Sequence, residues 1–178
     1  NLRANELAQL SKLEEDDRIR MRTEVLKVLR EIYIALEQFD KWKEVILELE
    51  HNAEILGDKT LLFRTRLDKA TDFFYVGSWE GNSMQSLMTL LEGSSTEGNP
   101  VMEAQVLQLL AQKHRLQGEY EKSEAFLRTA LDKVRAIPAQ KDLYISCCID
   151  LANILTSRCK EAELSTRTEE RRVGKEGR

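Results

Sequence analysis

Apolar residues in this 178-residue chain recur at helical spacing, in paired segments that turn back on one another, and the pairs themselves recur at a nearly fixed interval. Units beginning at Thr23, Arg64, Ala104 and Ile145 are separated by 41, 40 and 41 residues. So regular an interval restricts the chain to a stack of like units, each burying its apolar face against its neighbours. The expected fold is all-α. Punctuation is correspondingly scarce: 8 Gly, 2 Pro and 6% aromatic residues are too few for a β-sandwich or a glycine-rich cofactor fold.

Leu2, Leu7, Leu10, Leu13, Ile19 and Met21 sit at loose helical spacing among acidic residues and predict an amphipathic leading helix over 1–22. Val25–Leu36 and Trp42–Leu56 predict the first hairpin, with Gly57 as its stop. Leu62–Phe74 and Met84–Leu91, with a break at Val76–Glu80, predict the second. Glu92–Pro100 reads as the clearest loop, with Asn99 capping a helix whose first turn holds Pro100. Val101–Leu116 and Tyr120–Val134 predict the third hairpin around Gln117-Gly118-Glu119, and Leu143–Leu155 predicts one more helix beyond Pro138. About three and a half hairpins thus occupy 23–165. Residues 166–178 lose the apolar period and alternate in charge, which predicts a disordered or non-native tail.

The stretch Ala104–Ala130 carries Leu107, Leu110, Ala111, Gly118, Ser123, Leu127 and Ala130 at the fourth, seventh, eighth, fifteenth, twentieth, twenty-fourth and twenty-seventh places. That pattern resembles a tetratricopeptide repeat, in which small residues at set positions let two helices approach closely while large ones fill the remaining space. The first unit departs from it at Arg30 and Trp42, and the second at Thr71, where the family has small residues. The interval also exceeds the family's basic unit and resembles long-period helical repeats. The resemblance implies a right-handed superhelical array of antiparallel helix hairpins, a TPR-like α-solenoid, whose first helices line a concave face.

Family geometry implies partner-binding positions on that face at Lys27, Glu31, Asp68, Asp72, Tyr75, Gln105, Gln108, Gln112, Arg115 and Asn153. Carboxylates on the first two units and amides on the third suit an extended peptide of basic character, since amides pair with backbone and carboxylates with Lys or Arg. The resemblance implies a protein–protein interaction module or a scaffold layer of a larger complex. The alternative is a regulatory sensor domain that binds a small peptide or metabolite and drives an effector in a longer parent. The family's clamp for chaperone C-terminal carboxylates is matched here only at Lys27, with Glu31, Lys69, Gln105 and Leu109 at its other places.

No chemistry competes with these readings. His51 and His114 have no second ligand at metal spacing, Cys147, Cys148 and Cys159 form no C-x-x-C pair, and no nucleotide-loop or hydrolase motif occurs. An enzyme, a metal and a cofactor are therefore not expected. A net charge of −4 lacks the basic footprint of direct nucleic-acid binding. Apolar runs fall far short of the roughly 20 residues of a membrane helix. An odd set of cysteines with no glycosylation sequon places the chain in a reducing compartment, cytoplasmic or nuclear. A half-hairpin at the end leaves an apolar face open, through which a homo-oligomer could form.

Overall fold

The computed structural model describes residues 2–71 and 83–176, with side chains described over 11–71 and 84–160. Asp72, Tyr75 and the expected break at Val76–Glu80 lie outside the described residues. All regular structure among the described residues is helical, and the chain divides into two compact units, 1–83 and 84–178.

The first unit contains α1 (Leu2–Ala35), α2 (Phe39–Leu56) and α3 (Lys59–Thr71), with α2 packed between the other two. Its core joins Leu26, Trp42, Val45, Ile46, Leu49, Ala53 and Leu61. The second unit contains α4 (Ser83–Thr96), which opens at the boundary, then α5 (Pro100–Leu116), α6 (Tyr120–Val134), a 3₁₀ turn at Pro138–Gln140 and α7 (Lys141–Glu176). Here α6 lies between α5 and α7 over a core of Ala104, Leu107, Ala111, Leu127, Ala130, Val134, Cys147 and Ile154.

One turn design closes four of the helices. Glu37, Gly57, Gly98 and Gly118 all adopt left-handed backbone, with φ of 56°, 63°, 65° and 77°. At each, the next residue's N–H returns to a carbonyl five positions back: Gln38 to Tyr33, Asp58 to Ala53, Asn99 to Ser94 and Glu119 to His114. These are Schellman closures, and the following helix begins two residues after the left-handed one. The residue between them is polar in every case, and two of the four cap the new helix. Asp58 Oδ1 accepts from Leu61 N–H at 3.0 Å, and Asn99 Oδ1 accepts from Val101 and Met102 N–H, both at 3.2 Å.

Glu37 is the one non-glycine of the set, and a Cβ in this conformation costs about 1 kcal/mol. Glu37→Gly is therefore expected to hold or raise stability, by up to about 1 kcal/mol, while Gly118→Glu lowers it by a similar amount. Urea denaturation of the two variants checks the pair. Equal losses from both would show that the closures are not equivalent.

The α1–α2 and α5–α6 hairpins correspond residue by residue at an offset of 81, which carries Thr23 onto Ala104. Thr23, Leu26 and Tyr33 face inward where Ala104, Leu107 and His114 do, and Trp42, Ile46, Leu49 and Ala53 are buried where Ser123, Leu127, Ala130 and Val134 are. The tightest point differs between them. In α5–α6 the small pair Ala111 and Ser123 lets Ser123 Oγ donate to Ala111 C=O at 2.5 Å. In α1–α2 the same two places hold Arg30 and Trp42, so an indole fills what close approach fills in the other hairpin.

Three boundaries differ from those expected. The leading segment is not separate: α1 runs unbroken from Leu2 to Ala35 because nothing in it interrupts a helix. The loop expected over Glu92–Pro100 contracts to Glu97–Asn99, as Gly93 is carried within α4 and Gly98 alone makes the turn. The tail expected to be disordered is helical backbone as far as Glu176, where Glu, Lys, Arg and Ala supply helix propensity in place of an apolar period.

Candidate functional site

The first helices of the expected hairpins are α1, α3, α5 and α7, and each unit contains one pair of them that meets through polar side chains. In the first unit α1 and α3 meet at Arg30 and Asp68. Arg30 Nη1 lies 3.0 Å from Asp68 Oδ2, an ionic contact without hydrogen-bond alignment, and Arg64 Nε lies 3.9 Å from Asp68 Oδ1. Arg30 Nε and Asp68 Oδ2 are buried with no hydrogen bond among the described residues. Burial raises the Asp68 pKa against the opposing pull of Arg30 and Arg64, and Glu31 adds to the rise. Two residues expected on this face lie exposed or half-exposed around the pair. Glu31 contacts Arg30, and Lys27 Nζ donates to Glu24 Oε1 at 2.7 Å.

A second charge cluster in this unit joins α2 to α3. Glu50 accepts from Lys69 Nζ at 2.9 Å and Arg66 Nε at 3.1 Å. Burial alone would raise the Glu50 pKa, but these two hydrogen bonds and charges outweigh it and hold the carboxyl below its ordinary range. Its contribution to stability is thus present above the ordinary carboxylate range and lost as pH falls through the lowered value.

In the second unit α5 and α7 meet through amides and a carboxylate. Gln108 Nε2 donates to Ser146 Oγ at 2.7 Å and to Asp150 Oδ2 at 2.8 Å, and Gln112 Nε2 donates to the same Asp150 oxygen at 2.8 Å. This leaves Gln108 Oε1, Gln112 Oε1 and Asp150 Oδ1 with no hydrogen bond among the described residues. Free amide and carboxylate oxygens favour a ligand that brings N–H groups or positive charge. Gln105 and Arg115 are half-buried on the same helix as the glutamines, and Asn153 is exposed on α7.

Eight of the ten expected site residues are therefore described, and they fall into two groups: Lys27, Glu31 and Asp68 in one unit, Gln105, Gln108, Gln112, Arg115 and Asn153 in the other. Asp72 and Tyr75 lie outside the described residues. Arg30 and Asp150, the groups that organise the two patches, were not among the expected binders. Asp150 could have been found by noting that a carboxylate lies 42 residues after Gln108 and 38 after Gln112, about one repeat interval from each. Thr65, at a place where the repeat pattern has an exposed residue, is fully buried and donates to the carbonyls of Leu61 and Leu62 in its own helix.

His114 is half-buried at the end of α5. Its ring stacks on Phe126 with centroids 5.3 Å apart, and Nδ1 lies 2.5 Å from Glu119 Oε2, pinning the α5–α6 turn. Cys147 is in the core, where burial, with Asp150 and Cys148 adding, pushes its thiol up to about 11. Such a thiol is almost wholly protonated at neutral pH and a poor nucleophile. Cys159 is exposed on α7. Among the described residues no three His, Cys, Asp or Glu side chains stand where they could hold one metal ion, and no helix is long and apolar enough to cross a membrane.

No protein-family model, no curated protein and no solved structure matches this chain.

Proposed function

We propose that this chain is a protein–protein interaction module, a TPR-like α-solenoid in which successive first helices present a polar concave face to an extended partner segment. One observation carries the reading: Gln108, Gln112 and Asp150 join two successive first helices and leave Gln108 Oε1, Gln112 Oε1 and Asp150 Oδ1 without a hydrogen bond among the described residues. Two equivalent hairpins at an offset of 81 residues supply the repetition that a solenoid requires. A right-handed superhelix follows from the family resemblance.

The partner is a peptide or protein segment of basic character, because Asp150 and the amide oxygens of the second unit favour cations and N–H donors, whereas Glu31 and Asp68 of the first unit already face Arg30. The role is that of a binding or scaffold protein rather than an enzyme, and the three free thiols suit a cytoplasmic or nuclear setting. An array of peptides graded in Lys and Arg content tests the proposal. Basic peptides are expected to be retained, and Gln112→Arg, which puts a cation among the acceptors, is expected to reduce retention at least tenfold with the helical circular dichroism unchanged. Retention indifferent to peptide charge, or to Gln112→Arg, would overturn it.

A further inference from the structure

Ser146 and Asp150 lie one turn apart on α7, as Gln108 and Gln112 do on α5, and every hydrogen bond between the two pairs runs from a glutamine nitrogen to an oxygen of α7. Gln108 Nε2 donates to both Ser146 Oγ and Asp150 Oδ2, and Gln112 Nε2 donates to Asp150 Oδ2. An ionised carboxylate accepts and cannot donate, so a glutamine beside it must show it the nitrogen. Turning the Gln112 amide over would set Oε1 against Asp150 and leave nothing in place of the bond lost. Turning Gln108 over would keep at most the bond to Ser146, whose hydroxyl can donate as well as accept. The bonds to Asp150 are also the charge-assisted ones, and so the stronger. Asp150 thus decides which end of each amide is engaged and which is left over.

What is left over is uneven. Both N–H bonds of Gln108 are spent on α7, and one of the two on Gln112. Gln108 Oε1, Gln112 Oε1 and Asp150 Oδ1 have no hydrogen bond among the described residues. A free glutamine amide offers donors and acceptors alike, and these two offer mainly acceptors because Asp150 has taken their donors.

We infer that Asp150 sets the specificity of this face as a positioning residue. Acting through Gln108 and Gln112, it holds their nitrogens to α7, so that the face takes Lys and Arg side chains, which only donate, over neutral amide side chains, which bring an oxygen of their own. The selectivity rests on this face being the binding surface proposed above; the orientation of the amides does not.

Heteronuclear NMR of the isotope-labelled full chain reads the orientation without any ligand, through the side-chain NH2 signals of Gln108 and Gln112, identified by their loss in Gln108→Glu and Gln112→Glu. In the parent chain both are expected at lower field than an exposed glutamine. Asp150→Ala should return Gln112 to the exposed position and move Gln108 part of the way, whereas Ser146→Ala should move Gln108 and leave Gln112 in place. Parent signals already at the exposed position, or signals indifferent to Asp150→Ala, would overturn the inference whether or not a peptide binds. The peptide array then separates orientation from charge. Asp150→Ala is expected to reduce retention of basic peptides at least tenfold and to raise that of uncharged Asn- and Gln-rich peptides severalfold, since the released amides can meet donors and acceptors alike. Loss of basic peptides with no gain of uncharged ones would reduce Asp150 to a charge and overturn the inference. If the parent chain retains no basic peptide, the binding proposal fails and the amide signals alone decide this one. Circular dichroism of Asp150→Ala, a change at a half-exposed position, checks that the variant is folded.

Discussion

Trp42→Ala is expected to cost the first unit about 3–5 kcal/mol, the loss usual for a large aromatic removed from a packed core. Trp42 is 1% exposed and sits where α1 crosses α2, among Leu26, Val45, Ile46 and Leu49. The corresponding crossing in α5–α6 is closed by two small residues, Ala111 and Ser123. Shrinking Trp42 does not recreate that closure, because Arg30 occupies the facing place and is tied to Asp68 on α3. Trp42→Ser, which matches the residue at the equivalent position of the other hairpin, is therefore expected to be as damaging as Trp42→Ala. Urea denaturation followed by circular dichroism measures both. A loss below about 1 kcal/mol from either would mean that the indole is not what holds this crossing.

Leu127→Ala is expected to cost the second unit about 2–5 kcal/mol. Leu127 is fully buried on the middle helix of that unit, in one cluster with Leu107 and Ala111 of α5 and Cys147 and Ile154 of α7. The cavity would open toward both neighbours, and the surrounding helices cannot collapse on it without separating from each other. Hydrogen exchange should therefore quicken in α5 and α7 alike, and not in α6 alone. A change confined to α6 would show that α7 is held by something other than this core. Arg158 also forms ion pairs with Glu121 and Glu124 between α6 and α7, and as surface pairs they contribute about 0–1 kcal/mol each.

Much of this architecture is written in local sequence. Apolar spacing located the helices because a helix that packs on one or two sides must repeat its apolar residues every three or four positions. Gly57, Gly118, Asn99 and Pro100 located ends and starts because each does something at a helix terminus that other residues do poorly. Glu37 gave no such signal, as nothing in a glutamate side chain announces a left-handed turn. The length of α1, the extent of α4 and the helical backbone to Glu176 were also hidden, since exposed or weakly amphipathic helix is set by propensity, which composition obscures.

The first-helix face was partly legible. The repeat pattern named Gln108 and Gln112, and the structure places both on Asp150; it named Asp68, and the structure places it on Arg30. It could not show that these side chains hold one first helix to the next, because that depends on contacts about 40 residues apart in sequence. Arg30 looked only like a misfit at a small-residue position, and its use became visible when α3 supplied the carboxylate.

Site-specific photocrosslinking from position 112 tests the central claim most directly. A photoreactive phenylalanine analogue at Gln112 lies on the polar first-helix face, and the same analogue at Arg128, exposed on α6, serves as the comparison. Illumination in the presence of a retained basic peptide should give an adduct from position 112, competed by the unlabelled peptide, and little or none from position 128. Adducts of equal yield from both positions, or from position 128 alone, would contradict the account of this chain as a module that binds along its first helices.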